Sequence, residues 1–99
     1  MDQNTLVERL FAATQAIEHA AAMADWPEAA RLMKERAPLV HALSANQEPA
    51  ALALIHRIRS IDAAVAKQAE HAQVELQVEY RAAMKQIQST RQYHRIAML

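Results

Sequence analysis

Five histidines, eleven carboxylates and three serines are the side chains of this 99-residue sequence best equipped for chemistry. The histidines stand at His19, His41, His56, His71 and His94. Two imidazoles on one helix face share a metal when they lie four residues apart, and a di-iron bundle draws its ligands from Glu-x-x-His pairs. Neither spacing occurs. His71 and Glu75 share a helix face, which a solvated ion pair or hydrogen bond accounts for. Asp62 follows Arg59 by three positions, the spacing of a local ion pair. Ser44, Ser60 and Ser89 have neither a neighbouring base nor the backbone context of an oxyanion hole. Glycine and cysteine are both absent. Without glycine the chain lacks the usual means to build tight hairpins, phosphate-cradling loops or nucleophile elbows. Without cysteine it has no disulfide and no thiolate zinc site. The sequence therefore predicts no catalytic centre, no cofactor and no metal.

Hydrophobic residues make up 53% of the chain, a share inflated by alanine, while aromatics are only 4%. A core of alanine is thin, so long helices sharing their burial, or a partner, must complete it. The start, MDQNTLVERL, lacks the apolar run of a signal peptide, and no stretch is apolar enough to span a bilayer. The expectation is a soluble cytoplasmic protein with no membrane insertion. Formal net charge is zero, but residues 1–50 carry seven acids against four Lys/Arg, and residues 51–99 carry four acids against seven. After Glu79 every charged side chain is basic: Arg81, Lys85, Arg91 and Arg95. Cations collect near helix C-termini for dipole reasons alone, although Arg91 and Arg95 also form a basic tip that an acidic partner could use. Nucleic acid is not the expected partner, because that tip lacks interleaved aromatics and a net positive charge.

Three amphipathic segments supply the scaffold. In the first, Leu6, Leu10, Ala13, Ile17, Ala20 and Ala24 recur at alternating intervals of four and three, one stripe of a helix over about residues 5–24. Thr5 and Glu8 have capping-box spacing and mark its start. Asp25 then caps a second helix over about residues 26–44, with Pro27 in its first turn and Glu28 placed to reach back. Trp26 falls at the corner, where its ring can plug the end of the interhelical space. On this second helix Leu32, Leu39 and Leu43 form one apolar line, and Trp26, Met33 and Val40 form another about 80 to 120° around the axis. Two lines require two contacts. Pro38 removes a hydrogen bond within the helix and should bend it.

SANQEP is the second corner, and Pro49 opens a third helix to about residue 90 that neither proline nor glycine interrupts. Its stripe includes Leu54, Val65, Leu76 and Ile87, repeating every eleven residues, a period that favours a nearly straight path. The fold class is thus all-α: a single domain, residues 1–99, folded as an antiparallel bundle whose third helix is about twice as long as the others. Some 40 residues at about 1.5 Å each make a rod of about 60 Å, and helices half that length cannot cover it. Leu76, Tyr80, Met84 and Ile87 are left without an obvious intrachain partner, which points to a second copy or another protein.

The pattern resembles the flagellar export chaperone family FliT. It is carried by DW at the first corner, an ER..LV..L run, LIHRIRSID opening the long helix, and a tyrosine near the end. The matching residues are Trp26, Leu32, Glu35, Arg36, Leu43, Ile58, Asp62 and Tyr93. The resemblance implies a small cytoplasmic helical chaperone that binds the C-terminal region of the filament-cap protein before secretion. It also implies, for some members, contact with the export apparatus or the flagellar master regulator. Longer relatives fold an additional C-terminal helix over the binding face, and the expectation is that this sequence lacks a full version of it. Family chaperones receive an amphipathic client helix against their second and third helices, in the helix-in-groove mode. Here those faces would offer Leu32, Leu39, Val40, Leu43, Ile55, Ile58 and Val65. The rival readings are a structural homodimer without a client and an adaptor acting through the basic tip.

Overall fold

The computed structural model describes the backbone of residues 1–97 and the side chains of residues 1–92. Among them are three helices, α1 (Gln3–Ala22), α2 (Trp26–His41) and α3 (Pro49–Ala97), the third far longer than the others. The chain divides into two compact units, Met1–Ala69 and Glu70–Leu99.

Local chemistry sets the helix ends of the first unit. Helix α1 begins two residues before Thr5, because the stronger acceptor lies upstream. The Asp2 carboxylate accepts from the Thr5 backbone N–H at 2.8 Å and from the Thr5 hydroxyl at 3.1 Å. That bonding holds Asp2 below the usual carboxylate range, so the cap is complete above that range and lost as pH falls through the depressed value. At the other end Ala24 takes φ 54°. Its N–H donates to the Ala21 carbonyl at 3.0 Å while the Asp25 N–H reaches back to the Ala20 carbonyl at 2.9 Å. This is a Schellman motif whose left-handed position, usually glycine, is filled by alanine in a chain without glycine. Relieving the Cβ clash there outweighs the added freedom of the unfolded chain. Ala24→Gly is expected to stabilise the protein by about 1 kcal/mol, read as a rise of about 4 °C in Tm; an unchanged or lower Tm would contradict the strained corner.

Asp25 caps α2 as its spacing implies, accepting from the Glu28 N–H at 3.2 Å, with Pro27 in the first turn. Glu28 does not reach back. Its carboxylate is held by Arg31, whose Nη1 also donates to Glu35 at 2.6 Å, and the hydrogen bond from Arg31 keeps Glu28 below the ordinary range. Helix α2 continues through Pro38 and ends at His41 instead of near Ser44. The chain after it is held by a clamp from the first turn of α1. Gln3 Nε2 donates to the Ala42 carbonyl at 3.2 Å, and Gln3 Oε1 accepts from the Ser44 N–H at 3.0 Å and from Gln47 Nε2 at 2.7 Å. Asn4 adds a bond to the Glu48 carboxylate at 3.0 Å.

Burial in Met1–Ala69 is concentrated on α1, where Leu6, Val7, Leu10, Thr14, Ile17, Ala20 and Ala21 are enclosed. From α3 come Ala51, Ile58 and Val65, seven residues apart and so two turns apart on one narrow line. Ile17, Ala21 and Val65 form a cluster against which Trp26, Leu32 and Ile61 pack. Arg57 lies 4.6 Å from the centre of the Phe11 ring, a cation–π contact between α3 and α1. In Glu70–Leu99 every described side chain from Gln73 to Gln92 is exposed.

Candidate functional site

Helix α2 resolves its two apolar lines in opposite ways. Leu32, Leu39 and, just past the end of α2, Leu43 are half-buried, and Leu32 packs against the core, whereas Met33 is 47% exposed and Val40 42%. Trp26, Met33 and Val40 are spaced by seven; Met33 and Val40 face outward, while Trp26 at the head of the line is half-buried against the core. Across from its first half lies α3. Between them is a cavity of about 350 Å³, open on one side, whose α2 wall is Trp26, Ala29, Ala30 and Met33. Val65, Ala66 and Ala69 supply the α3 wall, and Ile17 of α1 closes the floor. The short alanine side chains on both walls leave a trough where larger side chains would have filled the space. Trp26 therefore has a second role that its corner position does not show: its ring forms one end of the trough while packing on the core.

At the polar margin stand Arg36 and Asp62. Arg36 is only 9% exposed. Its Nη1 donates to Asp62 Oδ1 at 2.8 Å and to Thr14 Oγ1 at 2.9 Å, and the Thr14 hydroxyl donates to the Leu10 carbonyl at 2.8 Å. One guanidinium thus ties all three helices together. Asp62 pairs across the bundle with Arg36, not locally with Arg59. An i, i+3 pair on a solvated helix is worth a few tenths of a kcal/mol, too little to hold Asp62 when a nearly buried cation needs a counter-charge.

Of the residues that the resemblance assigns to client binding, the structure brings only Val65 to the trough. Ile58 and Val65 are 5% and 7% exposed and act as core, so Ile58 offers no free surface. Leu32, Leu39, Leu43 and Ile55 are half-buried, and Val40 is exposed beyond the end of the cavity. Periodicity locates an apolar stripe but not which of two stripes meets a neighbour, so it could not place Met33 and the alanines opposite it at this cavity. In the second unit Leu76, Tyr80, Met84 and Ile87 are 66%, 66%, 38% and 46% exposed. Arg91 is exposed, and the side chains of Arg95 and Tyr93 lie outside the described residues.

Among the described residues no cluster of His, Asp or Glu could hold a metal ion, and no helix is long and apolar enough to cross a membrane. Comparison with curated proteins and with solved structures returned no match. Against known families the sequence matches one described as Flagellar protein FliT, over residues 4–95. The match takes in all three helices, the trough and the Arg36–Asp62 pair. That family is one of flagellar chaperones. With nearly the whole sequence inside the match, the chain belongs to the FliT family of flagellar export chaperones.

Proposed function

We propose that the protein is a cytoplasmic export chaperone that holds the C-terminal helical region of the filament-cap protein before secretion. The client helix would lay an apolar side chain into the trough between α2 and α3. The observation that carries this reading is the exposed Met33 beside a cavity of about 350 Å³ walled by alanine and tryptophan. Surfaces of that kind are costly in water unless something docks there. Methionine suits the task, because its flexible thioether adapts to differing side chains.

Calorimetric titration of the protein with the C-terminal segment of the filament-cap protein from the same organism should give micromolar or tighter binding. Met33→Asp removes an exposed side chain, so stability should stay within about 0.5 kcal/mol. It should nevertheless weaken the segment by about thirtyfold, as expected for a charge set in an apolar contact worth about 2 kcal/mol. An unbound segment would end the cap-chaperone reading.

A second reading has its own observation. Leu76, Tyr80, Met84 and Ile87 fall within an arc of about 80° on the helix of Glu70–Leu99, and all are exposed. A second copy of the chain covering that stripe would make the protein a structural helical dimer. Light scattering on the titration samples separates the two: a dimer that ignores the segment fits only the second.

A further inference from the structure

The trough has an unused polar edge. Arg36 spends one nitrogen, Nη1, on both Thr14 and Asp62. Its Nε is buried without any hydrogen-bond partner, and Nη2 makes no hydrogen bond among the described residues. Nε and Nη2 are the two donors that a guanidinium offers side by side, the fork that fits both oxygens of a carboxylate. Arg36 is 9% exposed and is one of the residues that line the cavity, so its guanidinium sits in low-dielectric surroundings beside apolar walls. A donor left without an acceptor there costs free energy until one arrives. Asp62 does not serve, because its bond to Nη1 leaves the other edge free and its side chain is 40% exposed to screening water. We propose that Arg36 is a specificity-determining residue: the trough takes a segment bearing a carboxylate beside its apolar anchor, and the Arg36 guanidinium turns its enclosed Nε/Nη2 edge outward to receive it.

This inference rests on the client reading above and narrows it. The same apolar trough would bind an uncharged helix through area alone; the fork selects one with an acid at the right position and leaves others with an unpaired donor. The carboxylate comes either from an acidic side chain of the segment or from its free C-terminus, which share one chemistry. The test is titration calorimetry of the full-length protein with three forms of the filament-cap C-terminal segment: unmodified, C-terminally amidated, and with its Asp and Glu residues changed to Asn and Gln. One of the two neutralised forms should bind at least tenfold more weakly than the unmodified one, and which form does so names the source. Arg36→Lys keeps a cation for Asp62 but not the fork, so it should bind all three forms with the same reduced affinity. Equal binding of all three forms by the unaltered protein would overturn the inference while leaving the chaperone reading intact, and needs no protein variant. Failure of the unmodified segment to bind overturns both.

Discussion

Ile58→Asp is expected to leave the protein without a cooperative thermal or urea transition. Ile58 is 5% exposed on the narrow line by which α3 joins α1 and α2. Truncation of a buried isoleucine alone costs about 2–5 kcal/mol, and an unpaired carboxylate in that place adds a desolvation cost of several kcal/mol more. A unit the size of Met1–Ala69 has roughly 3–10 kcal/mol in hand. The loss equals or exceeds the whole. Circular dichroism should show helicity well below that of the unaltered chain, and a urea midpoint near the original value would mean that α3 does not pack through Ile58. The contrast with Met33→Asp matters for design. The same substitution on the exposed line probes binding, while on the buried line it probes only folding.

The second large effect concerns the ion pair that joins α2 to α3. Asp62→Ala strands the nearly buried Arg36 guanidinium, and breaking such a pair costs about 3–5 kcal/mol when both partners are buried. Asp62 is 40% exposed, so water and relaxation return part of this, and a loss of about 2–3 kcal/mol is expected. Adding Arg36→Met should then restore most of the lost stability, because an apolar side chain of similar length suits the site once no charge is stranded. Thr14 tolerates that change, since its hydroxyl keeps the Leu10 carbonyl as acceptor. Urea titration of the two single variants and the double variant measures the coupling directly. A double variant no more stable than Asp62→Ala would show that the network is held by something other than charge compensation.

What spacing could reveal was the part of the fold decided within a few residues. Asp25, Pro27 and Trp26 announced a capped corner because caps act over three positions, and the structure shows that corner. The three helices were legible for the same reason: their stripes are local repeats. Distant pairings were not. Arg36 and Asp62 lie 26 positions apart, and Gln3 and Ser44 lie 41 apart. No periodicity connects either pair, so Asp62 read as a partner for Arg59, and α2 read as reaching Ser44. The choice between Leu39 and Met33 as the outward residue had the same character. Each stripe alone is a valid helix face, and only the position of a third helix decides which one is covered.

Trp26 carries one consequence for how the protein can be watched. It is the sole indole in the chain, and it stands half-buried at one end of the trough. Its emission therefore comes from a single place, and that place is where a docked helix would displace water. The molecule contains its own optical gauge of occupancy, which registers the wetness of the trough without a dye, a label or a change to any other residue.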